Sequence, residues 1–250
     1  LSRPEELTVL LSSISFIFLY CAGKGPVLSA FNFPLVDTPA YTIYYYNMYI
    51  YKLMNVDDFT DDDYAACLPF LSDEKRKRAD RLSSPLSKKL TAAGDMLARS
   101  LAAELTGVKP ENIQISADKN GKPYISNNLS VPVHISISHS GTFALAAASF
   151  RPVGADIEKI KTIKPKVARR YCSEAEYNFL LSDEKQFSRR AVLLWTMKEA
   201  YGKLCGGGVF RRDRFAAEII NGEPSLEYDT HRFDFPAAAE DYIICICEGC

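Results

Sequence analysis

Val133, Ile135 and Ile137 alternate with His134, Ser136 and Ser138. A period of two predicts a strand with one buried face. Ser140 and Gly141 supply a turn, and Phe143, Leu145 and Ala147 predict the returning strand of a hairpin with His139 near its tip. Further strands are predicted from Met48 onward, after the turn Gly121-Lys122-Pro123, and through residues 153–157. Elsewhere the helical period takes over. Leu90, Leu97, Leu101 and Leu105 share one stripe of a helix over residues 87–106, and Gly107 is placed to end it. Residues 59–81 read as one helix whose acidic start gives way to Lys75, Arg76, Lys77, Arg78 and Arg81. Helices over residues 173–181 and 188–203, a stop at Gly206, Gly207 and Gly208, and terminal strands complete the pattern. Short helices and strands alternate without a nucleotide-type glycine signature. The expectation is therefore an α+β fold of two similarly built halves, residues 48–150 and 151–250.

Residues 1–47 stand apart. The stretch 9–22 is mostly apolar, but it is short for a membrane span and contains serines. A secretory signal would carry positive charge ahead of it, whereas Arg3 is outweighed by Glu5 and Glu6. The segment reads as a leader or extension of open role, with Met48 a candidate start and no membrane association assigned.

Charge narrows the function. Thirty basic residues against thirty-one acidic ones leave a net charge of -1, which lacks the one-sided basic field of a nucleic-acid binder. Any anion site must be local. Seven cysteines, an odd number, do not form a secreted disulfide framework, so a reducing, cytoplasmic setting is expected. Cys245 and Cys247 lie inside the alternating run 242–247 and read as buried strand residues rather than zinc ligands.

Asp156 and Glu158 are one residue apart on a predicted strand, so both carboxylates project from one face and could share a cation. Glu199 and Lys203 lie one helical turn apart on a common face, just after Trp195 and Lys198. Three carboxylates meeting a phosphate call for a divalent metal, and magnesium, with its hard oxygen ligands, is the natural candidate. A lysine beside it supplies charge where a leaving phosphate becomes negative. Taken singly, each piece has a plainer reading: a solvated strand edge, a surface ion pair, a structural His139. The combination and its order change the weighing.

Gly121-Lys122-Pro123, Ile137-Ser138-His139-Ser140, the run 153–159 (VGADIEK) and the run 195–203 (WTMKEAYGK) resemble the signature series of the surfactin-type (Sfp-type) 4′-phosphopantetheinyl transferases. The similarity runs from about Met48 to the C-terminus. Ala155 departs from the branched residue many relatives carry, and Arg78 stands where a lysine would also serve. The resemblance implies two pseudo-symmetric halves with the active site in the cleft between them. It implies an enzyme that moves the phosphopantetheine arm of coenzyme A onto a serine of an apo acyl or peptidyl carrier protein and releases adenosine 3′,5′-bisphosphate. It further implies magnesium held by Asp156, Glu158 and Glu199, with Glu199 the catalytic base and Lys203 acting on the pyrophosphate and leaving group. Lys75, Arg78, Thr91, Lys122, Ser138, His139 and Lys198 would surround coenzyme A, and one chain would suffice as a monomer. The alternatives are a magnesium-dependent phosphohydrolase and a non-catalytic module that binds coenzyme A or a carrier.

Overall fold

A computed structural model describes residues 49–206 and 215–249, which fall within a single compact unit, Pro39–Cys250. Residues 1–47, expected to be a leader or extension, and Met48, Gly207, Gly208 and Cys250 lie outside the described residues.

Strand β1 (Ile50–Asn55) is followed by helices α1 (Asp61–Cys67), α2 (Asp73–Arg81) and α3 (Pro85–Thr106). The single helix expected over 59–81 is thus two. Pro69 sits in a 3₁₀ turn after α1, and Ser72 caps α2 by accepting a hydrogen bond from the Lys75 amide. Helix α3 begins two residues before the expectation because Ser84 caps it and Pro85 fits its first turn. It ends at Gly107, whose φ of 70° is the left-handed cap a glycine supplies.

The short strands β2 (Ile115–Ala117) and β3 (Pro123–Ile125) lead to the hairpin β4 (His134–Ser140) and β5 (Phe143–Ser149), with β5 central in the antiparallel order β1-β5-β4. The hairpin turn is where sequence placed it. The second half repeats the plan: β6 (Val153–Lys159), the short α4 (Pro165–Ala168), α5 (Glu174–Leu181), α6 (Phe187–Cys205), then β7 (Ile219–Ile220), β8 (Glu223–Pro224), β9 (Glu227–Tyr228), β10 (His231–Asp234) and β11 (Tyr242–Gly249). Its sheet runs β6-β11-β10-β9.

Strand β5 shows why the halves join. Ala144, Ala146 and Ala148 face Ala93, Ala98, Leu101 and Ala102 of α3, whereas Leu145 and Ala147 pack with Val153, Ala155 and Ile157 of β6 and Tyr242, Ile244 and Ile246 of β11. Alternate faces of one strand therefore feed two cores. Small residues let the α3 backbone lie close to its sheet, where a Cβ on Gly94 would come 2.6 Å from a methyl of Ile137. Helix α6 covers the other outer face, against Cys245 and Cys247 of β11. These two cysteines are fully buried strand residues. Among the described residues no helix is long and apolar enough to cross a membrane.

Candidate active site

Strand β6 turns Val153, Ala155 and Ile157 into the central core, which leaves Gly154, Asp156 and Glu158 facing α6. On α6 the matching residues are Trp195, Glu199 and Lys203, at intervals of four along one helical face. The Lys203 ammonium pairs with Asp156 Oδ1 at 2.6 Å and donates to the Ala155 carbonyl at 3.1 Å. At the other end Trp195 Nε1 donates to Glu158 Oε1 at 3.1 Å. Glu199 lies between them in sequence, and its carboxyl pKa is pushed up to about 7 by desolvation first, then by Asp156 and Glu158, with Lys203 opposing.

The other wall is β4. Its serines face β6 rather than water, with Ser136 and Ser138 both buried. Ser136 Oγ accepts from the Ala155 amide at 2.9 Å, Ser138 Oγ donates to Asp156 Oδ1 at 2.6 Å, and Ser140 Oγ accepts from the Lys159 amide at 3.0 Å. Two sheet edges that share no backbone ladder are thus stitched by hydroxyls. These bonds also give β6 amides partners that a strand edge would otherwise lack.

Asp156 carries the feature that matters most for a metal. It is 4% exposed, its Oδ1 takes both Ser138 and Lys203, and its Oδ2 is buried with no partner. A buried, unpartnered carboxylate oxygen is costly and marks a place where a cation fits. Among the described residues no three His, Cys, Asp or Glu side chains close into a ready-made metal cage. Magnesium seldom uses one, taking one or two carboxylates and completing its shell with phosphate oxygens and water. The donor set here fits that habit.

The remaining expected residues divide. His139 sits beside the cluster on β4; desolvation, then the Lys203 and Arg78 charges, hold its imidazole below the ordinary range, with Asp156 opposing in part. Lys75 is committed to Asp95, a buried residue that also takes Arg99 at 2.6 Å. Thr91 donates to the Ser87 carbonyl one turn back at 2.8 Å. Lys122 donates to the Leu204 carbonyl at 2.8 Å, so the Gly121-Lys122-Pro123 turn closes the C-terminal end of α6, and burial lowers its ammonium pKa.

Lys198 is not brought to the cluster. It pairs with the fully buried Glu176 at 2.7 Å and donates to the Phe215 carbonyl at 2.8 Å. Glu176 also accepts from the amides of Ser173 and Ala217. Ser140, which the sequence marks only as a turn and motif residue, and Trp195, which it marks only as a motif residue, also reach the cluster, and the period-two serines of β4 were the only signal of this in the sequence.

The family model for the 4′-phosphopantetheinyl transferase superfamily matches residues 152–247, and that for the 4′-phosphopantetheinyl transferase N-terminal region matches residues 58–151. The chain is 34% identical over 177 residues to the 4′-phosphopantetheinyl transferase psf-1 of Bacillus pumilus, covering 70% of this chain and 74% of the relative. It is 32% identical over 189 residues to the 4′-phosphopantetheinyl transferase Sfp of Bacillus subtilis strain 168, covering 74% and 83% respectively. Against the 4′-phosphopantetheinyl transferase HetI of Nostoc it is 28% identical over 160 residues, covering 62% and 68%.

Proposed function

The chain belongs to the 4′-phosphopantetheinyl transferase family, and from that premise we propose that it transfers phosphopantetheine from coenzyme A to a serine of an apo acyl or peptidyl carrier protein. The observation that carries the site assignment is the buried Asp156 carboxylate, one oxygen held by Lys203 and Ser138 and the other without a partner.

Asp156, Glu158 and Glu199 are the residues that would hold magnesium, and the ion when bound supplies positive charge to the pyrophosphate oxygens. The serine Oγ forms a bond to the β-phosphorus as the bond from that phosphorus to the bridging oxygen breaks, and adenosine 3′,5′-bisphosphate departs. Glu199 takes the hydroxyl proton, directly or through a water. Lys203, fixed against Asp156, is placed to balance charge that develops on the leaving phosphate.

Ser138 donates to Asp156, and the Lys203 and Arg78 charges both act on His139; Ser138, His139 and Arg78 are the residues we assign to the phosphates of coenzyme A. Lys75, Thr91 and Lys122 can join them only by exchanging present partners. Both walls come from one chain, which supports a working monomer. The free thiols of Cys67, Cys172, Cys205, Cys245 and Cys247 support a cytoplasmic setting.

The test is intact-mass analysis of several apo carriers incubated with this chain, coenzyme A and magnesium, with an EDTA control. A gain of one phosphopantetheine that EDTA abolishes is the expected result. Coenzyme A binding with no carrier modified would favour the non-catalytic module, and release of cleaved coenzyme A without any carrier would favour the phosphohydrolase.

A further inference from the structure

Resting on the transferase reading above, we propose that Ser140 and Trp195 are positioning residues that grip the Glu158 carboxylate at its two oxygens and preset it for the divalent cation. The grip is drawn from three elements. Glu158 stands on β6, Ser140 Oγ donates to its Oε2 at 3.2 Å from the end of β4, and Trp195 Nε1 donates to its Oε1 at 3.1 Å from α6.

Both donors are themselves fixed. Ser140 Oγ accepts from the Lys159 amide at 3.0 Å, so its single hydrogen is directed to Glu158. The Trp195 indole lies edge-on to Tyr171, ring centroids 5.1 Å apart at 67°, and the Tyr171 hydroxyl donates to the Ala191 carbonyl at 3.0 Å on α6. A glutamate side chain has three rotatable bonds, and gripping both oxygens removes most of that freedom before any ligand arrives.

Folding alone gives little reason for this arrangement. Glu158, Ser140 and Trp195 are all partly exposed, so water could satisfy the carboxylate at almost no cost. Each carboxylate oxygen keeps a further lone pair after accepting one hydrogen bond, and Glu158 therefore remains able to ligate while gripped. Partners of this kind commonly alter metal affinity 10- to 100-fold when removed. Glu158 is held at both oxygens, whereas Asp156 keeps Oδ2 open; the two carboxylates are prepared differently for one ion.

Trp195 is the chain's single tryptophan, so its emission reports on Glu158 without interference from a second indole. The experiment titrates magnesium into the metal-free full chain, without coenzyme A or carrier, and follows that emission. Wild type is expected to show a saturable change that Glu158→Gln abolishes. Ser140→Ala should move the midpoint upward by about tenfold, and Ser140→Thr, which keeps the hydroxyl, should restore it. In transfer assays Ser140→Ala and Trp195→Phe should need correspondingly more magnesium, while the KM for coenzyme A at saturating magnesium stays at the wild-type value. A Ser140→Ala midpoint equal to wild type, or a wild-type emission indifferent to magnesium in a chain that transfers, overturns the proposal. A chain that gives the expected titrations yet modifies no carrier sinks the transferase reading and leaves the grip standing.

Discussion

A Cβ placed on Gly154 would lie 2.0 Å from the carbonyl oxygen of Ala200 and 2.4 Å from the amide nitrogen of Leu204. Both are backbone atoms of α6 or its last turn, so no side chain can swing aside. The close approach is what lets Lys203, on that same turn, reach Asp156 two residues along β6. Gly154→Ala is therefore expected to push α6 off the strand, costing about 1–3 kcal/mol of stability through overpacking. Misplacing catalytic groups by about 1 Å should lower turnover roughly a hundredfold. Thermal unfolding and the carrier-modification assay together check this, and an active variant with normal stability would show that the approach is not required.

Lys203→Ala separates binding from chemistry. Removing the ammonium strips Asp156 Oδ1 of its charged partner while the Ser138 hydrogen bond survives. If Lys203 acts on charge that develops during transfer, turnover falls by about 10²–10³-fold with the KM for coenzyme A changed only a few-fold. Equal losses in both would make it a binding residue instead.

Lys198 belongs to a different account. Its sequence neighbour Glu199 faces the cleft, but its own ammonium is buried against Glu176, which is wholly buried and also holds the Ala217 amide at 2.7 Å. Lys198→Met leaves that carboxylate uncompensated, and the expected loss is about 3–5 kcal/mol of stability. The KM for coenzyme A of the folded fraction should not move. A raised KM at unchanged melting temperature would return Lys198 to the coenzyme A site.

That contrast shows what the sequence could and could not convey. Period two placed Asp156 and Glu158 on one face, and the four-residue spacing placed Glu199 with Lys203; periodicity states which side chains share a face. It does not state what the face meets. The polar side of β4 reads as a solvent face, yet Ser136, Ser138 and Ser140 meet β6, because the partner of a sheet edge is fixed by tertiary packing. For the same reason Lys198 beside Glu199 gave no hint of Glu176. The break between α1 and α2 was legible in principle, through Pro69 and the cap at Ser72, but the long run of charge around it masked the signal.

The raised pKa of Glu199 makes stability itself depend on pH. In the folded chain its carboxyl titrates at about 7, against 4.5 for the ordinary side chain, so between those values the folded state holds a proton that the unfolded state has lost. Stability from this group is fully present below pH 4.5 and is lost as pH rises through 7. Glu199→Gln removes the titration while keeping the side chain's size. In EDTA the variant should equal wild type or fall slightly below it near pH 4.5, and exceed it at pH 8 by ~1 kcal/mol once solvent screening of a half-buried group is allowed for. His134, His139 and His231 work in the opposite direction: desolvation lowers each pKa, and the stabilising effect is lost as pH falls below 6.5. Wild-type melting curves alone would therefore blend these opposing slopes, whereas the difference between variant and wild type across pH isolates Glu199. A constant difference from pH 5 to pH 8 would mean that the carboxyl is not held protonated by Asp156, Glu158 and its burial.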